Sequence, residues 1–91
     1  MTYRVKPYSG EIVIPNTTGA ASSVSSATAV RLVNPSATNY IIYVVETQSG
    51  PGIGSFTLRG NSELILEKIS SHCVYVNTGT DVRGAKVGFT N

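Results

Sequence analysis

The sequence predicts an all-β fold: one antiparallel β-sandwich, immunoglobulin-like or jelly-roll-like, of about seven or eight short strands. Short runs rich in Val, Ile, Thr and Tyr recur along the chain. Turn signals built from Gly, Pro, Asn and Ser separate these runs roughly every eight to twelve residues. No segment carries a convincing helical period, and a length of 91 residues indicates a single domain.

The strongest strand signal is at residues 40–46, where six of seven residues are aromatic or β-branched. Successive side chains of a strand point to opposite faces. One face carries Tyr40, Ile42 and Val44, and the other carries Ile41, Tyr43 and Val45. Because a strand with one wet face would alternate apolar with polar residues, we expect this strand to be covered on both sides. One cover is the core, and the other is a second copy or another protein.

Residues 1–26 form an N-terminal region of the same domain. It contains short strands at 2–8 and 11–14, followed by a Ser/Thr/Ala-rich stretch at 16–26. That stretch has little apolar mass with which to offset the entropy of ordering. It is either a flexible surface loop, which we favour, or an arm that orders against a neighbouring subunit.

Residues 27–91 form the sandwich core. Besides 40–46, strands are predicted at 27–34, 53–58, 62–69, 72–77 and 82–90. Gly60 and Asn61 between two alternating runs predict a β-hairpin with a type II′ turn. The glycine-rich bend at 47–54 predicts a bulge near Gly54. Helix is the rival for 62–69, because Leu, Glu and Lys favour it and Ser62 is a suitable N-cap, but the alternation favours strand.

Composition narrows the classes of partner. Charged residues make up 13% of the chain, about half the usual share, and the net charge is only +2. Low charge with many Ser, Thr and β-branched residues is typical of proteins that live in assemblies, and it does not indicate nucleic acid. No apolar window is long enough to span a membrane, and the N-terminus lacks the apolar core of a signal segment. We therefore expect no membrane partner and synthesis in a cytoplasm.

We expect no enzyme, no cofactor and no metal site. His72 and Cys73 are the only histidine and cysteine, and on a strand their side chains leave opposite faces. Glu63 and Glu67 would lie about 13 Å apart on a strand, too far for paired carboxylates, which act at roughly 5–9 Å. A small barrel that binds single-stranded nucleic acid is a lesser alternative, because the seven basic residues are scattered.

Assembly agrees best with these features. An apolar second strand face, a small-residue arm and low charge all favour association, and a symmetric homo-oligomer is the default outcome. Tyrosines supply large contact areas with a polar tip. The candidate interface residues are Tyr3, Tyr8, Ile41, Tyr43, Val45 and Tyr75.

The core contains several short strand-like runs, the first of which ends in an Asn-Pro loop. They are AVRLVNPS at 29–36, YIIYVVE at 40–46, GSFTL at 54–58, ELILEK at 63–68 and the ending AKVGFTN at 85–91. In the spacing of its strands and in this loop, the chain resembles the small β-sandwich structural proteins of tailed bacteriophages, especially marine and cyanobacterial ones. The resemblance implies a virion part that is present in many identical copies and is assembled in the host cytoplasm.

Two roles are compatible with that resemblance. The first is a capsid decoration, or cement, protein that binds over joints between coat subunits by added contact area and strand addition. The second is a tail, baseplate or fibre component with a host-recognition or carbohydrate-binding role. A sugar site of that second kind would lie on loops 34–39 and 50–54, which contain no aromatic residue. This favours the decoration protein. The expected partners are other copies of the chain and a major capsid or tail protein.

Overall fold

The computed structural model describes residues 4–17 and 19–90, and the side chains of 7–17 and 19–88. This part of the chain contains eight strands and no helix, so none that could span a membrane. The strands are β1 (Arg4–Pro7), β2 (Ile12–Val13), β3 (Ala29–Asn34), β4 (Tyr40–Val45), β5 (Gly52–Leu58), β6 (Ser62–Glu67), β7 (Cys73–Val76) and β8 (Arg83–Thr90). The predicted all-β class is confirmed, and β6 is a strand rather than the rival helix.

The strands form two antiparallel sheets. Sheet I has the order β1-β8-β3-β6, and β2 continues β1 along the same edge of β8. Sheet II has the order β5-β4-β7. A bridge between Ser22 and Val74 adds the N-terminal segment to the outer edge of β7.

The pairing makes the chain a long hairpin that is rolled into a sandwich. β4 pairs with β5, β3 with β6, the Ser22 segment with β7, and both β1 and β2 with β8. The connections from β1 to β2 and from β4 to β5 stay within one sheet, and every other connection crosses to the opposite sheet. This order is that of a jelly roll, which the sequence left open beside the immunoglobulin-like sandwich.

The core lies between the sheets and follows the predicted alternation. In β3, Val30 and Leu32 are fully buried while Arg31 faces outward. In β4, Ile42 is fully buried from the other side. The buried residues of the main core cluster are Ile14, Val24, Ala27, Val30, Leu32, Tyr40, Ile42, Leu58, Val74, Val76 and Val82.

The predicted hairpin at residues 59–61 is wrong, because β5 and β6 belong to different sheets. The turn between them crosses the edge of the sandwich. Its left-handed residue is Asn61, with φ of 56°, so the turn is not type II′ with glycine first. Gly60 is needed for space instead, because a Cβ there would lie 2.5 Å from the carbonyl oxygen of Ala37.

The hairpin of sheet II is closed by the glycine-rich bend. The Glu46 N–H donates to the Pro51 carbonyl at 3.1 Å. The register shifts where Val44 pairs with Gly54 and Val45 pairs with Gly52, so that Ile53 is the extra residue of a bulge. The predicted bulge near Gly54 is therefore confirmed.

The Ser/Thr/Ala-rich stretch at 16–26 packs onto its own sandwich between Ala21 and Val24, so it is not a loop that is exposed throughout. Ala21 and Val24 are almost completely buried. The N–H and carbonyl groups of Ser22 exchange hydrogen bonds of 3.0 and 2.8 Å with Val74. The stretch thus covers the outer edge of β7 and contributes to the core, a role that its few apolar residues did not indicate.

A left-handed turn ends this stretch. Residues 24–26 all have positive φ, between 53° and 57°, a conformation that costs about 1–2 kcal/mol per non-glycine residue. Burial of Val24 offsets part of that cost. The Nζ of Lys86 donates to the Ser25 carbonyl at 3.2 Å, and the Nζ of Lys68 donates to the Ala27 carbonyl at 2.7 Å. These contacts come from distant parts of the chain and hold the turn in place.

Asn34 is fully buried and joins the two sheets. Its Nδ2 group donates to the carbonyls of Thr38, Leu58 and Arg59, at 2.7, 3.3 and 3.2 Å. Its Oδ1 atom accepts from the N–H and the hydroxyl of Ser36, at 3.1 and 2.9 Å. One side chain therefore ties the end of β3 to the loop before β4 and to the end of β5.

We expect Asn34→Asp to destabilise the fold by roughly 3 kcal/mol, because it turns the buried donor into an acceptor that faces three carbonyls. Urea denaturation followed by circular dichroism measures the loss. Asn39→Asp is the matched control, because exposed Asn39 only accepts, from the Gly60 N–H through Oδ1. Equal losses in both variants would contradict the role given to Asn34.

Candidate interaction surface

The outer face of sheet I is charged. Arg31 forms ion pairs with Glu11 on one side and Glu63 on the other. Glu67 and Arg83 are exposed on the same face, as their registers opposite Ala29 and Val33 require. Exposed ion pairs of this kind contribute little to stability, but they keep a face hydrated.

The outer face of sheet II contains no charged residue. Its members, here called the uncharged face, are Ala21, Ile41, Tyr43, Val45, Ser55, Thr57, Cys73 and Tyr75. The rings of Tyr43 and Tyr75 are stacked, with centroids 4.8 Å apart and an interplanar angle of 16°. Ile41 is 37% exposed beside them. Stacked and exposed apolar groups on a face without charge are typical of a contact surface.

The structure brings together four of the six predicted interface residues on this face. Ile41, Tyr43 and Tyr75 offer side-chain surface there, whereas Val45 is only 5% exposed because it packs with Ala21 and Cys73 in a small cluster. The second cover of the central strand is thus partly the chain's own N-terminal segment. Tyr8 lies on sheet I, where its N–H donates to the Lys86 carbonyl, and Tyr3 lies outside the described residues.

Ile53 is 50% exposed on the bulge of β5 and was not among the residues predicted from the sequence. The available signal was its position between two glycines, which predicts a distorted strand rather than a packed one. Ala21, which closes one end of the uncharged face, was not predicted either. An alanine in a polar stretch carries no signal that distinguishes a buried position from an exposed one.

The side chains with reactive or metal-binding groups are dispersed over the fold. Cys73 is a free, buried thiol, and His72 lies half-buried beside it just before β7. Within residues 4–17 and 19–90, no group of three His, Cys, Asp or Glu side chains is placed to hold a metal ion.

A shallow depression of about 410 Å³ opens at one end of the sandwich. It is lined by Val33, Asn34, Pro35, Asn61, Ser62 and Glu63. None of these residues supplies an aromatic ring on which a sugar could stack. In addition, Glu63 is already paired with Arg31. The depression therefore provides few groups that could bind a glycan.

Tyr40, the first residue of β4, forms a partly buried polar contact near Asn34. Its hydroxyl donates to Asp81 Oδ2 at 2.5 Å, and its ring lies against Gly79, whose φ is 80°. The hydrogen bond to Asp81, with burial as a second cause, raises the pKa of Tyr40 above its usual value. This contact fixes the loop between β7 and β8 and is structural in character.

No family model, no curated protein and no solved structure matches this chain. The class of protein is therefore defined by the fold and its surface alone. It is a small jelly-roll protein with one charged face and one uncharged face. Because one fold supports many functions, the surface rather than the fold must support any functional argument.

The Tyr40–Asp81 hydrogen bond predicts a pH dependence in alkali. A raised folded-state pKa means that the folded protein holds the phenolic proton more tightly than the unfolded chain does. The stabilisation is complete below pH 10, the unfolded value, and is lost as pH rises through the folded pKa of Tyr40. We expect the stability difference between wild type and Tyr40→Phe to be constant from pH 7 to about 9 and to shrink above pH 10. Denaturant titrations across that range measure it, and a constant difference up to pH 11 would contradict the assignment.

Proposed function

We propose that this protein is a non-enzymatic structural component of a virion, a capsid decoration or cement protein that stabilises contacts between coat subunits. It acts without a cofactor. Its partners are other copies of itself and a major capsid protein, and its place is the virion, assembled in the host cytoplasm.

The observation that supports this most directly is the difference between the two faces. The charged face of sheet I suits contact with water, since Arg31 and two glutamates stay paired and hydrated there. The uncharged face of sheet II lacks such groups, so binding a partner there desolvates no ion. Burying apolar area is worth about 25 cal/mol per Å², and this face has no charge whose desolvation would offset that gain.

The contact would be made by adding area across a joint between coat subunits. Ile41 and the stacked Tyr43 and Tyr75 supply apolar surface, with phenolic hydroxyls to bond with coat backbone. A charge share of 13% also suits a chain held in an assembly, which does not need its own charge for solubility. Jelly rolls are used by viral capsid proteins and by lectin domains alike, so the fold is compatible with this role without proving it.

The test is binding to capsids of the virus that encodes the chain, assembled without it. We expect wild-type protein to saturate the capsids in a fixed ratio to the coat protein and to raise the temperature at which they open. Ile41→Glu places a charge on the uncharged face and should weaken the affinity for the capsid at least tenfold, which corresponds to about 1.4 kcal/mol.

Ile65→Glu is the matched control. Ile65 is 40% exposed on the charged face, against 37% for Ile41 on the uncharged face, so the same substitution is made at equal exposure. We expect Ile65→Glu to bind as wild type does. If both variants bind equally well, another surface makes the contact. If wild type binds only a tail or fibre, in a few copies, the decoration role is wrong and a tail, baseplate or fibre component replaces it.

A further inference from the structure

The four edges of the sandwich are protected to different degrees. One edge of sheet I is formed by the short strands β1, which ends at Pro7, and β2, and one edge of sheet II is formed by the short Ser22 segment. The edge strand β6 places Glu63 and Glu67 beside its open side. Charges and short covering segments are the usual devices by which proteins prevent edge strands from pairing with other chains.

The edge of β5 lacks these devices. Among the described residues β5 pairs only with β4, so its other side presents unpaired N–H and carbonyl groups. Residues Gly52–Leu58 include no proline and no charged side chain, and most of them are exposed. The bulge at Ile53 distorts one end, but the register from Gly54 to Leu58 is continuous against β4. Leu58 is buried and its carbonyl accepts from Asn34, so four residues of regular, uncharged edge, 54–57, are open to another strand.

We propose that β5 is a self-association edge, on which two copies of this chain pair β5 to β5 in antiparallel orientation about a two-fold axis. The two three-stranded sheets II would then form one continuous six-stranded sheet. The inference deepens the self-association part of the proposed function, and it does not depend on attachment to a capsid.

The absence of charge favours a second copy over an unrelated strand. A two-fold axis places each residue near it opposite its own copy, so that any charged residue there would face a like charge. β5 has none between Gly52 and Leu58.

With the axis at Ser55, Gly54 of one copy lies opposite Phe56 of the other. Phe56 packs against its own core but is only partly buried, so part of its ring is available to cover the backbone at Gly54 of the other copy. A small residue thus lies opposite a large one on each side of the axis.

The pairing also extends the uncharged face. Ser55 lies opposite Tyr43 in sheet II, and Thr57 lies opposite Ile41. Joining two sheets at β5 places these residues of both copies on one surface, with the axis at its centre. A capsid partner would then meet a surface twice as wide, with two equivalent sets of contacts.

The mass of the full chain in solution tests the inference. We expect sedimentation equilibrium to give twice the chain mass of 9.6 kDa. Ser55→Lys places two lysines opposite each other at the two-fold axis and should halve the measured mass. Ile65→Lys, at the exposed outer face of the other edge strand, should leave the doubled mass unchanged. Thermal melts followed by circular dichroism establish that both variants are folded.

Cross-linking tests the register independently. Ser55→Cys places a thiol at the axis and should give a disulfide-linked dimer on mild oxidation, whereas Ile65→Cys should not. Both variants retain the buried Cys73, so its contribution is the same in each. A single-chain mass for wild type at millimolar concentration would overturn the inference, as would a doubled mass in folded Ser55→Lys or a dimer that Ser55→Cys fails to cross-link.

The outcomes separate this inference from the proposed function. A monomer that still saturates capsids overturns β5 pairing and leaves the decoration role intact. A cross-linked dimer that never binds a capsid supports β5 pairing and removes the decoration role. Ile41→Glu gives a further check, because it should lose capsid binding and keep the doubled mass.

Discussion

The structure depends on closing a polar network where the chain passes between sheets. All but two of the connections cross the sandwich, and each crossing takes backbone groups out of a sheet ladder. At the crossing after β3, Asn34 satisfies three carbonyls and Ser36 from a fully buried position. An unpaired group there would cost about 1–3 kcal/mol, a large share of the stability of a small domain. The apolar layers can pack only because this network is complete.

The N-terminal segment completes both the fold and the surface. It pairs with β7 through Ser22, and Ala21 packs on Val45 and Cys73 at one end of the uncharged face. The left-handed turn at residues 24–26 is an unfavourable local conformation held by contacts with Lys68 and Lys86. Burial lowers the pKa of Lys68. Local strain is thus tolerated in order to close an edge that would otherwise be open.

The open edge of β5 and the low charge of the chain both favour association with a partner. A chain of this size buries a modest fraction of its surface, so partners are an effective source of added stability. The segment at Ser22 closes the edge of β7, whereas the uncharged edge of β5 and the face beside it stay open. A protein that functioned alone would be expected to protect both edges of sheet II. The glutamates of β6 protect an edge of sheet I in this way.

Local pattern was sufficient to predict the strands. The alternation in β3 indicated which of its side chains are buried, and the glycines near Gly54 indicated the bulge. Both faces of β4 are apolar, so the pattern did not indicate which of them lies in the core. Local pattern did not predict which strands pair. The turn residues at Gly60 act locally, whereas contacts between distant residues decide the sheet to which each strand belongs. The same limit applies to the stretch at 16–26, whose small side chains suit a loop or a packed segment equally well. The sequence by itself determined the period and polarity of each strand; tertiary structure decided the partners, because burial of the two sheets' apolar faces against each other is a property of the whole chain.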